Sequence, residues 1–419
     1  MKKLPDWLLL TSILLLALAA RMGAAVVWEN RIEGQFGFPD SESYWALGRS
    51  IAQGQPYEFE LFEVKHKVFR TPGYPILLAP IFLIGGENPP TMLARTQAAL
   101  LGTLTVLAVW WLGQMLFDNR AGLLAAAFAA LYPGAISAGI LILSEAPFCP
   151  LMVAQLALWV AASKAETGRK IASYTILGGL AAAGATLVRP SWLLFTPMAA
   201  GVAVLVGGRE TTRKRQLCIA AGMLATMAVG MCPWWIRNAR ATGHFVPTTL
   251  QVGASLYDGL NPQANGGSDM EFVEPITAEE LAAYHGSREG FEHHLSGRFR
   301  ERSLAWAADN KSRVAELAWV KVLRMWNIWP NEASFSSWPL RLGVFFTYVP
   351  ILIFGIIAAL RTARLGWPYL LCWLPAAYFT MLHVVFVSSI RYRQPAMLGL
   401  MVLAAGLIAV RKKRVVDSE

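Results

Sequence analysis

About ten stretches of roughly 20 predominantly apolar residues run through this chain, near 7–27, 96–117, 121–142, 146–163, 171–188, 190–207, 217–235, 342–360, 367–388 and 394–410. Each is long enough to cross the hydrocarbon core of a bilayer as a helix. Residues of this kind in this amount, 55% hydrophobic in a 419-residue chain, exceed what a water-soluble core needs, so lipid is part of the solvent. The expected fold is an all-α polytopic membrane protein. Trp7 to Val27 is too long for a signal-peptide core and reads as an uncleaved first span, with Arg21 snorkelling to the outer interface.

Charged residues are few, 15% of the chain, and they are sorted. Short connections on alternate sides carry Arg120, then Lys164, Arg169 and Lys170, then Arg209, Arg213, Lys214 and Arg215, then Arg361 and Arg364, then Arg411 to Arg414. The positive-inside rule puts these and both termini in the cytoplasm. The opposite side receives two long loops, 28–95 and 236–341, and the turns at Ser144-Glu145, Arg189-Pro190 and Ser388 to Arg393. Three parts follow: a transmembrane module over 1–235 with its first outer loop at 28–95, a large outer loop over 236–341, and C-terminal helices with a basic tail over 342–419. The apolar segment Tyr74 to Ile84 is too short to cross and reads as juxtamembrane or re-entrant. Ala305 to Trp329 reads as an amphipathic interface helix, Trp and Leu on one side and Lys and Arg on the other.

The outer loops hold the residues that look chemical. Asp40 and Glu42 sit at the start of a helix expected over Ser41 to Gln53, with Asp40 or Ser41 as N-cap. Two carboxylates there either act as a general base or cation ligand, or serve only to cap and charge the first turn. Arg70, in Arg70-Thr71-Pro72-Gly73-Tyr74-Pro75, is placed either to clamp a phosphate in bidentate fashion or to reach lipid headgroups. Glu145 and Arg189 are ionisable residues at span ends beside prolines, where an ion pair for structure competes with a ligand site. Arg237 and Asn238 close the seventh span, and Arg391, Tyr392 and Arg393 open the last. So many guanidiniums on the face that the charge rule disfavours is what a phosphate-bearing lipid headgroup would explain.

Other chemistry finds little support. His293-His294 has no further His or Cys at metal-ligand spacing and reads as a solvated helix face. Cys149, Cys218, Cys232 and Cys372 read as small core hydrophobes. No Walker loop, dinucleotide fingerprint or Ser-His-Asp pattern is present.

At these motifs, taken in order as Phe38 to Tyr44, Arg70 to Pro75, Leu143-Ser144-Glu145, Val188-Arg189-Pro190, Pro233 to Asn238 and Arg391-Tyr392-Arg393, the chain resembles the dolichyl-phosphate-mannose protein mannosyltransferase and aminoarabinose transferase-like superfamily. That resemblance implies a GT-C-like bundle with extracytoplasmic juxtamembrane helices. It also implies a polyprenyl-phosphate sugar donor, hexosyl or pentosyl transfer to an extracytoplasmic lipid, glycan or protein, and residence in the inner (cell) membrane. Asp40, with Glu42 beside it, matches the catalytic acid position and would deprotonate the acceptor with inversion, while Arg70 stabilises the departing phosphate. Tyr44, Tyr74, Glu145, Arg189, Arg237, Asn238, Arg391, Tyr392 and Arg393 are assigned to the donor-binding rim. A divalent cation is a candidate cofactor without an identifiable third ligand. Arg70-Thr71-Pro72 departs from the Lys-Pro-Pro turn of aminoarabinose transferases. A flippase of lipid-linked saccharides would instead need ionisable groups at the bilayer midplane and repeated halves. An O-antigen ligase or polymerase would keep its main catalytic loop late in the chain.

Overall fold

The computed structural model describes residues 5–207, 212–329 and 337–416. Arg209 and the side chains of Arg411 to Arg414, assigned above to the cytoplasmic side, lie outside the described residues. In chain order the helices are α1 (Asp6–Arg31), α2 (Pro39–Ala52), α3 (Gly73–Gly85), α4 (Thr91–Leu116), α5 (Asn119–Leu131), α6 (Pro133–Ala138), α7 (Glu145–Lys164), α8 (Gly168–Val188) and α9 (Phe195–Val206). They continue as α10 (Arg213–Thr242), α11 (Val252–Gly259), α12 (Val273–Ala283), α13 (Phe291–Asp309), α14 (Lys311–Trp326), α15 (Trp338–Ala363), α16 (Leu374–Val385) and α17 (Gln394–Val416). One short antiparallel hairpin, β1 (Phe59–Leu61) and β2 (Val64–His66), pairs Phe59 with His66 in the first outer loop.

Six described helices, α1, α4, α7, α8, α10 and α15, are long and apolar enough to cross a membrane. The remaining four expected spans are shorter or interrupted. The window at 121–142 is α5 followed by a break at Tyr132-Pro133, because Pro133 has no N–H to continue the ladder. The windows at 190–207 and 367–388 begin with 3₁₀ turns at Pro190–Trp192 and Tyr369–Cys372, leaving 12-residue helices, each about 18 Å long. The last window keeps an apolar stretch of Gln394–Ala409. α3 is the short apolar helix expected over Tyr74 to Ile84 and packs against α2.

α7 lies at the centre, buried around most of its circumference, with α8 and α4 against it and α10 beyond α8. α17 packs between α5 and α15. Apolar area gives little preference for a neighbouring helix over a lipid tail, so close packing and buried hydrogen bonds must hold such a bundle. Gln155 of α7 donates to the Thr196 hydroxyl at 2.9 Å and accepts from the Trp192 indole at 2.7 Å, joining α7 to α9 at full burial.

Arg21 corrects the snorkelling expectation. Its side chain is fully buried and donates to the carbonyls of Ala17, Ala129 and Ala130. The last two face no amide further along α5 because the helix stops before Pro133. Room for the guanidinium comes from Gly102 and Gly139, where a Cβ would stand 2.7 and 3.0 Å from Arg21 Nε.

Within the stretch expected as the large outer loop, the described residues 236–329 and 337–341 are largely helical. α10 runs to Thr242, past the expected boundary at 235, and the amphipathic stretch is split at Asn310 into α13 and α14. The expected faces of that stretch are reversed in part. Trp319 and Leu323 are exposed, whereas Lys321 is buried and donates to the carbonyls of Gly259 and Val385 at 2.8 Å and of Val384 at 3.3 Å. The cysteines divide: Cys149 and Cys372 are buried, while Cys218 and Cys232 are exposed on α10 rather than in the core.

Candidate active site

Pro39 occupies the first turn of α2 with Phe38 as an extended N-cap, and no side chain caps the helix. Proline favours this place because its missing N–H is an orphan there anyway. Asp40 is therefore inside the helix and not its cap, which corrects the expected start at Ser41. Its carboxylate is free to reach across the loop, and Arg70 Nη2 donates to Oδ1 at 2.7 Å.

Arg70 is held on every side. Nε donates to Ser43 Oγ at 3.0 Å and Nη1 to Gln251 Oε1 at 2.7 Å, and the guanidinium stands 4.9 Å over the Tyr44 ring. Its backbone carbonyl accepts from the Tyr57 hydroxyl. The strand leading to it is fixed by Glu292 of α13, which accepts from the Lys67 and Val68 amides. Three residues on, Gly73 lets this turn sit against the end of α8, since a Cβ would come within 2.7 Å of the Leu187 backbone. The first outer loop is thereby pressed onto the segment that presents Arg189.

Glu145 opens α7, where a negative charge suits the helix dipole. Its Oε1 meets Arg189 Nη1 at 2.8 Å and Arg391 Nε at 2.5 Å, with only 2% of the side chain exposed. Arg391 also stands 3.5 Å from Asp40 Oδ2, so it joins the two carboxylates. Arg189 and Arg391 both lie over the Tyr392 ring, at 5.4 and 5.5 Å. Three guanidiniums against two carboxylates leave the cluster positive. The Arg70 guanidinium beside Asp40, helped by Arg391, holds its carboxyl down to about 2 against the opposing effect of burial. The acid is thus ionised at any physiological pH.

This cluster forms one wall of a cavity of about 580 Å³, closed opposite by α11, α13 and α16 through residues such as Gln251, His293, Arg300, Tyr378 and His383. The volume is that of a small-ligand site, apolar with a few converging polar groups.

Residues 70–236 match the family model of dolichyl-phosphate-mannose-protein mannosyltransferase, a stretch that contains Arg70, Glu145 and Arg189. The archaeal oligosaccharyltransferase AglB from Archaeoglobus fulgidus superposes on 98% of the chain, with TM-score 0.62 and 16% identity in its apo form. In complex with an inhibitory peptide and a dolichol-phosphate the values are 0.58 and 15%. The chain has the GT-C fold. It spans about half the length of that oligosaccharyltransferase, 51% in each case. ArnT from Cupriavidus metallidurans bound to undecaprenyl phosphate gives TM-score 0.46 at 14% identity over 96% of the chain and 77% of its own. No curated protein matches the chain by sequence. The superfamily resemblance read from the motifs is met by the family model over residues 70–236 and, at the level of fold, by the oligosaccharyltransferase, and the chain is a multi-pass membrane protein of that fold.

Within this GT-C bundle, Asp40, Tyr44, Arg70, Arg189, Arg391 and Tyr392 line the cavity, with Glu145 directly behind two of the arginines. The other candidates lie elsewhere. Glu42 is exposed and outside the cavity lining, because two positions along a helix turn its side chain about 200° away from that of Asp40. Tyr74 is buried behind Tyr44, ring centroids 5.1 Å apart. Arg237 donates to the Lys67 and Tyr57 carbonyls, and Asn238 to those of Val246 and Thr248, so this pair binds the loops to the end of α10. Arg393 is buried, donates to the Met325 and Asn327 carbonyls, and lies 3.7 Å over Tyr348. Its work is to tie α14 to α15 and α17.

Sequence reading missed Gln251, Arg300 and His383. The third had a signal, since an ionisable residue inside an apolar window is a functional candidate. His293 is not a plain solvated face: it borders the cavity and stacks on His244 at 3.9 Å. The donor set does not suit a divalent cation. Both carboxylates of the cluster are engaged by guanidiniums, and among the described residues no three His, Cys, Asp or Glu side chains converge as ligands.

Proposed function

We propose that this protein transfers a sugar from a polyprenyl-phosphate carrier to a lipid, glycan or protein acceptor outside the cytoplasm. The observation carrying this reading is the cavity in which one ionised acid, Asp40, shares a wall with Arg70, Arg189 and Arg391. The archaeal enzyme of the same fold has been captured with a dolichol-phosphate, a ligand with the lipid tail and phosphate that such a wall would suit. The charge asymmetry of the loops supports a cavity on the outer side of the cell membrane.

The donor phosphate would enter among the three guanidiniums, which offer charge-assisted and bidentate hydrogen bonds. Its negative charge competes with Asp40 for Arg70 and Arg391. Asp40 then loses the contacts that depress its pKa and becomes a stronger base at the moment the donor is seated. An acceptor hydroxyl or amine attacks the anomeric carbon from the face away from the phosphate, with inversion. The bond from that carbon to the phosphate oxygen breaks with its electron pair on the phosphate, and the proton passes to the Asp40 carboxylate. The guanidiniums stabilise the charge that grows on the leaving phosphate. Glu145 keeps Arg189 and Arg391 aligned without entering the exchange.

Substitution Asp40→Asn separates this reading from transport. Cells lacking the protein are complemented with the wild-type or variant chain at matched membrane levels, and sugars on their lipids, glycans and proteins are read by mass spectrometry. The wild-type chain is expected to restore the missing sugar. The variant should fall short by the roughly 10²- to 10⁴-fold typical of a lost general base. Full restoration by Asp40→Asn would remove the acid from the chemistry.

A further inference from the structure

The phosphate wall leaves a second feature of the cavity without a task. His383, on α16, lines the cavity with 7% of its surface exposed. Its Nδ1 lies 2.7 Å from the Val387 carbonyl oxygen, which can only accept, so Nδ1 carries the proton and donates. Nε2 is then the acceptor of the neutral ring, and it is buried without a hydrogen-bond partner in the protein. A buried polar atom left unpaired is costly to stability and calls for an explanation. The ring is also fixed in place: it stacks on Tyr392 at 4.2 Å with the planes 4° apart. Tyr392 is the ring that carries the Arg189 and Arg391 guanidiniums. The unpaired nitrogen is therefore one aromatic layer from the proposed phosphate position. Ser191, on the 3₁₀ turn after Arg189, lines the same cavity, and its buried Oγ has no partner either.

An acceptor nitrogen and a hydroxyl, rigidly held beside a phosphate pocket and both unpaired, match a ligand bearing several hydroxyls. We propose that His383 Nε2, with Ser191 Oγ, forms the subsite that holds the hydroxyls of the transferred sugar, which makes His383 a specificity-determining residue for the donor. This rests on the polyprenyl-phosphate reading above and adds the contact that would distinguish a sugar-bearing donor from the bare carrier.

The test uses the full-length protein in lipid nanodiscs and two probes, undecaprenyl phosphate and the same lipid carrying a single hexose or pentose. Three chains are compared: wild type, His383→Asn and His383→Gln. Asparagine retains an amide N–H near Nδ1 for the Val387 carbonyl but empties the Nε2 position, whereas the longer glutamine puts a polar atom back near Nε2. Wild type is expected to bind at least one sugar-bearing lipid more tightly than the bare phosphate. His383→Asn should bind that lipid about five- to tenfold more weakly, the usual weight of one hydrogen bond, with affinity for the bare phosphate unchanged. His383→Gln should recover part of the difference. Equal binding of the sugar-bearing lipid by wild type and His383→Asn overturns the subsite while leaving the phosphate reading intact. Equal weakening toward both probes overturns it as well, since the ring would then act only by supporting Tyr392. Failure of the wild-type protein to bind either lipid removes the donor reading and the subsite together.

Discussion

At the scale of single residues, the arginines of this chain do two different jobs that look the same in one dimension. Arg70, Arg189 and Arg391 meet carboxylates at a cavity wall. Arg21, Arg237 and Arg393 spend their donors on backbone carbonyls left over where helices or loops end. Sequence reading found the first set through the Arg70 to Pro75, Val188-Arg189-Pro190 and Arg391-Tyr392-Arg393 motifs, which gather guanidiniums on the face that the charge rule disfavours. It mistook the second for rim or snorkelling residues, because which carbonyls lack partners depends on contacts more than 60 residues away, as in Arg393 to Met325. Arg21 gives a direct test of that second role. Arg21→Ala leaves two buried carbonyls of α5 unpaired, at about 1–3 kcal/mol each, and opens a void beside Gly102 and Gly139. A lower thermal unfolding midpoint in detergent is expected, with undecaprenyl phosphate still bound by the protein that remains folded. An unchanged midpoint would mean that the guanidinium contributes no net stabilisation.

At the scale of elements, the uninterrupted helices were legible because about 20 apolar residues in a row admit few readings in lipid. α1, α4, α7, α8, α10 and α15 fall where those windows do. α5, α9 and α16 did not read correctly, since a window sum treats proline as one polar residue among many, whereas a missing N–H ends the helix. The large outer loop was legible as a loop and not as the packed helices it contains. The burial of Lys321 in particular runs against the amphipathic pattern that suggested a surface helix. Lys321 joins α14 to the end of α11 and to the C-terminus of α16 just after His383. In Lys321→Met the carbonyls of Gly259, Val384 and Val385 lose a shared donor. The expected outcome is faster amide hydrogen exchange in α11 and at the end of α16, with α7 and α8 protected as in the wild type. Unchanged exchange at α11 and α16 would show that the lysine does not hold them together.

At the scale of the whole molecule, the cavity is assembled from the first outer loop, two inter-helix turns, the large outer loop and the approach to the last helix. Asp40, Glu145 and Arg391 are far apart in the chain, yet sorting by charge leads to the expectation that all of them lie on one side of the membrane. Their convergence into a single salt-bridged cluster goes beyond that sorting and depends on packing such as Gly73 against α8. The proposed function requires that a polyprenyl phosphate bind in this cavity. Its most direct test is an experimental structure of the full chain with undecaprenyl phosphate bound in a nanodisc. The expected result is a phosphate within hydrogen-bond distance of at least two of Arg70, Arg189 and Arg391, with the Asp40 to Arg70 contact lengthened from 2.7 Å. A phosphate bound outside the cavity, with those three arginines still paired as they are now, would contradict it.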